Sequence, residues 1–227
     1  MKSRFFPLFA VLAGLAAPAS ANAALTEIAP LGTASAGCPG FAEQDCAVVL
    51  ARQTAFQAKV GTTKAFTTVK SSGHVVAWTV SLVSVSAEGV KNVNSRYGGA
   101  PRAALVVLAP LGKSRYKVVE KGPLVDLTKY LGTNPTFALP TALPVKAGYV
   151  VGITVPTWAP MLQLGLGGDT SWRSSKPLKE SVDKDYRPQR ALVGTNAEAS
   201  FGALYQRVRM AYSAVMVPTP TPAKTKK

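Results

Sequence analysis

His74 is the sole imidazole of the chain, and Cys38 and Cys46 are its two thiols. Acyl transfer through a Ser-His-Asp or Cys-His arrangement needs a ring nitrogen as base. His74 follows Gly73 at the entry to the Trp78 strand, outside any nucleophile-elbow pattern, and reads as a strand-edge residue. Metal-assisted hydrolysis needs a cluster of imidazoles and carboxylates, which one histidine does not supply. Glycoside hydrolysis asks only for two carboxyl groups, about 5 Å apart for retention and wider for inversion. Glu27, Glu43 and Asp45 lie near the start of the chain or between the cysteines, and Glu88 and Glu120 end strand-like runs. Glu180, Asp183 and Asp185 could hold Ca²⁺, but they are interleaved with Lys179, Lys184 and Arg187 and read as a self-paired loop. No carboxylate falls at the inward position of an identifiable strand. The expectation is therefore a protein without catalytic residues, metal or cofactor.

Chemistry of recognition is better represented. Trp158 sits between Thr157 and Ala159-Pro160 at a strand end, and Trp172 sits in Gly168-Asp169-Thr170-Ser171-Trp172-Arg173. Indoles on loops stack on sugar rings, and Asp169 and Arg173 have the donors and acceptors for hydroxyl groups. The same two indoles read more readily as covers over the end of a core, where large aromatic side chains usually belong. Lys176, Lys179, Arg187 and Arg190 make the loop from Gly168 to Gln189 and its flank strongly basic, and Arg96, Arg102, Lys113 and Arg115 cluster at other strand ends. The expected binding set is Trp158, Trp172, Asp169, Arg173, Lys176, Lys179, Arg187 and Arg190. Tyr97 and Tyr186 are the only aromatics interleaved with these cations, too few for specific nucleic-acid binding.

Residues 1–23 have the three parts of a secretion signal: Lys2 and Arg4, an apolar run from Phe5 to Pro18, and the small-x-small site Ala21-Asn22-Ala23. Ala19-Ser20-Ala21 is a second cleavage option. The run is shorter than the about 20 residues a membrane span requires, and no later run is longer. An exported chain starting near Ala24 is expected, either secreted or held at the cell surface. The full chain carries 26 Lys and Arg against 11 Asp and Glu, a net charge of +15. The leader removes only two of these positive charges. A charge of this size draws polyanions over about 10 Å at 0.1 M salt and also keeps a protein soluble. In an exported chain, Cys38 and Cys46 read as one disulfide around a seven-residue loop.

The elements that must position these groups read as strands. Val76, Trp78, Val80 and Leu82 alternate with smaller or polar residues. Further runs are Ala103–Leu108, Tyr116–Glu120, Val150–Val155 closed by Pro156, Met161–Leu166, and Val208–Met216. Phe137-Ala138-Leu139 and Leu143-Pro144-Val145 flank a turn. Turn residues fall about every ten positions, the spacing of an antiparallel sandwich or barrel. The one helical candidate is a turn at 126–131 capped by Asp126. Glu88–Pro101 reads as a polar, Gly-rich loop. The expected organisation is a flexible leader over 24–37, a β domain over 38–217, and a Pro-Thr-Lys tail from Pro218 onward, where alternating prolines prevent sheet pairing.

The set Cys38…Cys46, Arg52-x-Thr54-x-Phe56-Gln57, Val76-Ala77-Trp78-Thr79, Pro156-Thr157-Trp158-Ala159-Pro160 and Ser171-Trp172-Arg173 resembles a group of exported β-sandwich proteins of high-GC Gram-positive soil bacteria. The resemblance implies a jelly-roll-like, all-β, antiparallel two-sheet sandwich and carries no site residues. The functional expectation is a secreted, non-catalytic domain that binds an anionic or neutral extracellular polysaccharide. The alternatives are a structural or interaction protein of the cell surface and a glycan-cleaving enzyme.

Overall fold

The structure is a computed structural model and describes residues 24–38, 48–175 and 191–220. Along the chain run β1 (Thr26–Ile28), β2 (Leu50–Val60), β3 (Thr63–Lys64), β4 (Gly73–Val80) and the helix α1 (Ala87–Tyr97). Then come β5 (Arg102–Gly112), β6 (Arg115–Lys121), β7 (Val125–Asp126), β8 (Thr136–Val145) and β9 (Val150–Ala159). The remainder is β10 (Leu162–Gln163), β11 (Ser171–Ser174), β12 (Glu198–Ser200), β13 (Ala203–Gln206), β14 (Arg209–Met210) and β15 (Tyr212–Pro218). All pairings between these strands are antiparallel.

Two main sheets share one core, and β10 pairs with β14 as a third, two-stranded sheet. The smaller has the order β1-β15-β4-β8 and the larger β12-β6-β5-β9-β2-β11-β13, with β3 and β7 appended. Trp78, Val80, Met216 and Ala214 from the small sheet meet Leu105, Val107, Val151 and Ile153 from the large one. Tyr212 ties the layers together: from β15 its hydroxyl donates to the Val151 carbonyl on β9 at 2.8 Å and accepts from the Gln57 amide on β2 at 3.4 Å.

The large sheet also buries its other face. It curls until β12 and β13, its two edges, are separated by only Phe201 and Gly202. Phe201 plugs the curl, 5.5 Å from the Phe56 ring and 5.2 Å from the Tyr116 ring, over Val106, Leu108 and Val118. Burial on both faces explains why 103–108 is apolar without alternation: Leu105 and Val107 face one core, Val106 and Leu108 the other.

Several expectations change. Glu88–Pro101 is mostly helix, not loop. Ser86 caps it by accepting from the Gly89 amide, and Gly98 ends it at φ 83°. Pro156 does not close its strand. A register shift opposite Arg52 places the proline in a bulge, where a missing N–H costs no ladder bond, and β9 runs on to Ala159. The residues from Phe137 to Val145 form one edge strand, with Pro140 in a register shift against β4. The expected strand over Met161–Leu166 shrinks to Leu162–Gln163. The flexible leader is corrected too: Thr26–Ile28 pairs with Met216–Ala214, and Ile28 and Ala29 are buried. At the far end Pro218 still pairs with Gly73, and the Thr219 amide donates to the Ser72 carbonyl, so the tail starts later than expected. The expected turn at 126–131 is a 3-10 helix over Thr128–Tyr130 with Leu127, not Asp126, at its N-cap, and Asp126 accepts from the Thr128 amide at 2.9 Å. Hydrogen bonding from the Thr128 side chain and then its amide, with Arg102 and Lys129 nearby, holds the Asp126 carboxyl below its ordinary value. Cys46 lies outside the described residues, as do residues 1–23.

Candidate functional site

The tryptophans expected to stack on sugars are both inside. Trp158 is fully buried, with its Nε1 donating to Asn94 Oδ1 at 2.9 Å and to the Gly99 carbonyl at 3.1 Å. Its indole is the seat of α1, a helix that buries no residue of its own and needs such an anchor. Trp172 is on β11, not on a loop, and stacks on Tyr205 with ring centroids 4.1 Å apart and planes 12° from parallel. The two indoles are not neighbours either. Trp158 pairs with Ala51 and Trp172 with Gln57 along β2, a separation of six residues or about 20 Å.

Asp169 is exposed in the turn before β11, close to Gly61 at the β2–β3 turn. Arg173 lies on the face of the large sheet that the curl encloses, opposite Phe56 on β2, and its Nη1 donates to the Phe201 carbonyl at 3.2 Å. Its charge also pulls down the Tyr116 phenol, although burial outweighs this and leaves that group raised. The four described members of the expected set, Trp158, Asp169, Trp172 and Arg173, therefore do not converge. Lys176, Lys179, Arg187 and Arg190 lie outside the described residues, as does the acidic group at Glu180, Asp183 and Asp185.

What the fold assembles instead is one end of the sandwich. There the chain leaves β3 and crosses to β4 as a strap, residues 65–72, with a groove on either side. The first groove, about 410 Å³, lies against β1 and is lined by Thr63, Lys64, Phe66, Thr68, Lys70 and Ser71, with Glu27 on its far wall. The second, about 480 Å³, lies between β6 and β8 and is lined by Ser72, His74, Glu120, Lys146, Tyr149 and Thr219.

The strap is held on both sides by backbone bonds. The Val69 amide donates to the Tyr149 carbonyl at 2.8 Å, and the Gly148 amide to the Val69 carbonyl at 2.8 Å. The Val151 amide donates to the Thr67 carbonyl at 3.0 Å, and Thr67 Oγ1 to the Gln57 carbonyl at 2.9 Å. Gly73 ends the strap where β15 approaches so closely that an added Cβ would lie 2.3 Å from the Val217 carbonyl oxygen. The groove walls are thus set before any ligand arrives.

Among the described residues the charge at this end is mostly cationic, with Glu27 and Glu120 as the carboxylates, and no ion pair falls here. Among the described residues the ion pairs are Arg102–Asp126 at 4.0 Å and Arg115–Glu198 at 3.0 Å, both elsewhere. Lys64, Lys70 and Lys146 are exposed, and Lys59 stands opposite Lys64 in the β2–β3 pairing. Beside the first groove Arg209 packs over the Phe66 ring at 5.2 Å while its Nη2 donates to the Pro30 carbonyl at 2.7 Å. Burial without a carboxylate partner lowers the Arg209 pKa from its usual value. Sequence reading passed over Lys64, Phe66 and Lys70 because they lie in a stretch with no strand period, and only the strap's path makes them neighbours of β1.

Among the described residues no group of three or more His, Cys, Asp or Glu side chains could hold a metal ion, and no helix is long and apolar enough to cross a membrane. Comparison of the chain with protein-family models, with curated proteins and with solved structures returns no match.

Proposed function

We propose that this is an exported, non-catalytic domain that binds an anionic extracellular polysaccharide, with the groove of Lys64, Lys70 and Phe66 as its contact. In this reading the leader is cleaved near Ala24, the sandwich is a jelly roll, and Cys38 and Cys46 are joined. The observation that carries the proposal is the excess of exposed cations gathered at one end of the fold, where Lys64 on β3 and Lys70 on the strap line one groove. Lysine ammonium groups on a fixed wall attract carboxylate, sulfate or phosphate groups from a distance without reorganising. Thr63, Thr68 and Ser71 add hydroxyls suited to sugar hydrogen bonds, and the edge of the half-buried Phe66 ring, which Arg209 packs over, adds an apolar contact. The stacking role first assigned to Trp158 and Trp172 is not retained.

The test is retention of the purified chain on polygalacturonate and on dextran sulfate, with neutral dextran as control. Retention on the two anionic polymers at low salt is expected. At roughly 0.5 M salt, where screening leaves only a few ångströms of range, it should be lost. Lys64→Ala with Lys70→Ala should weaken retention without lowering the melting temperature, since both side chains are exposed. Equal retention on neutral dextran, or none on any polymer, would sink the proposal.

A further inference from the structure

Resting on that reading, we infer that the two grooves are halves of one cleft, and that the ligand is the interior of a polyanionic chain lying across the strap, not a chain end or a single sugar. The inference starts from connectivity. Ser71 lines the first groove and Ser72 lines the second. Consecutive Cα atoms across a trans peptide are about 3.8 Å apart, and this chain has no cis peptide among its described residues. Neighbouring strap residues thus wall the two grooves, one toward β1 and the other toward β8 at the opposite edges of the small sheet, with the exposed Lys70 next to Ser71.

Each half repeats the same chemistry. The first offers Lys64 and Lys70, the hydroxyls of Thr68 and Ser71, and the edge of an aromatic ring, Phe66. The second offers Lys146, the His74 imidazole, the hydroxyls of Ser72 and Thr219, and the half-buried Tyr149 ring. Each half also holds one carboxylate, Glu27 or Glu120, so neither is purely cationic. Glu120, which lines the same groove as Lys146, repels an anion brought against it and so limits where a ligand's negative groups can lie. Both grooves are open to solvent and neither is a closed pocket for a terminus. The ridge between them is the strap, which is tied to Tyr149, Gly148 and Val151 and does not fold away.

A chain that engages both halves gains the second contact as an intramolecular event, so its affinity must depend on length. The probes are oligogalacturonates of two and of eight units, with binding measured by calorimetry at low salt. The eight-unit probe is expected to bind on the order of tenfold or more tightly than the two-unit probe. Lys146→Ala with His74→Ala, both exposed positions, should reduce the eight-unit affinity toward the two-unit value, while the two-unit probe keeps its site in the first half and loses no more than about twofold in apparent affinity. Equal affinities for the two lengths, or a double variant that binds the eight-unit probe like the parent, would show a single-groove site and overturn the inference, leaving the polysaccharide reading intact. Failure of the parent to bind polygalacturonate or dextran sulfate at all would overturn both. A melting temperature for each variant, expected unchanged, separates lost contact from lost fold.

Discussion

The Trp158 indole N–H is shared between the Asn94 side chain at 2.9 Å and the Gly99 carbonyl at 3.1 Å, and this pair of bonds fixes a surface helix to the sandwich. A buried indole with its N–H satisfied is a structural anchor. Trp158→Ala should destabilise the protein by about 3–5 kcal/mol. Asn94→Ala should cost about 1 kcal/mol, because Gly99 still accepts. Thermal unfolding checks both. Polygalacturonate retention by folded Asn94→Ala protein should equal that of the parent, since Trp158 lies at the end of β9 remote from the strap.

Gly73 cannot accept a side chain where it stands. A methyl group there would meet the Val217 carbonyl at 2.3 Å and the Pro218 Cα at 2.9 Å, both backbone atoms. Gly73→Ala should therefore cost about 1–3 kcal/mol by overpacking and displace the junction between strap and β4. Urea unfolding measures the first effect. The second should appear as weaker polygalacturonate binding by protein that is still folded.

Tyr212 makes the protein sensitive to alkali. Its hydroxyl is fully buried between the sheets, and burial pushes the phenol well above its ordinary value near 10. Above that pH the unfolded chain releases this proton while the folded chain keeps it, so stability must fall as pH rises. Below pH 10 the group contributes no slope. Tyr212→Phe should lose about 1–2 kcal/mol at neutral pH, as the Val151 carbonyl and the Gln57 amide lose their partner. The variant's decline above pH 10 should be shallower than the parent's. Denaturant midpoints from pH 7 to 11 read both changes.

The β5–β6 hairpin closes with Lys113 and Ser114, both left-handed at φ 49° and 61°. Two-residue hairpin turns of this kind favour Asn-Gly, because other side chains are strained there by about 1 kcal/mol each. Lys113→Asn with Ser114→Gly should raise the melting temperature by a few degrees. It also removes one positive charge away from the strap, so polygalacturonate binding should change little.

Much of the fold is legible one residue at a time. The period of two in β4 and the unbroken apolar run of β5 identify strands, because each is a local record of which faces are buried. Even the missed helix left its marks in the sequence: Ser86 for the N-cap, then Gly98 for the left-handed close. They were overshadowed because no residue of α1 is buried, so no apolar stripe accompanied them. The positions of Pro156 and Pro140 misled for a related reason. A proline ends a regular ladder, but a bulge that depends on the partner strand removes the conflict.

The candidate site was not legible, and the reason is long range. From sequence, Trp158 and Trp172 are two large aromatics beside turn residues. Whether they face solvent depends on α1 closing over one and Tyr205 stacking on the other, contacts made 59–64 and 33 residues away. The opposite holds for Lys64, Lys70 and Lys146, which are unremarkable until the strap, β1 and β8 meet at one end of the sandwich. The sequence by itself determined the strand content, the antiparallel class and the large positive charge, because these follow from local period and composition. Only the tertiary structure decided which aromatics are buried and which cations share a groove, because strand register and sheet curl join residues that no local pattern connects.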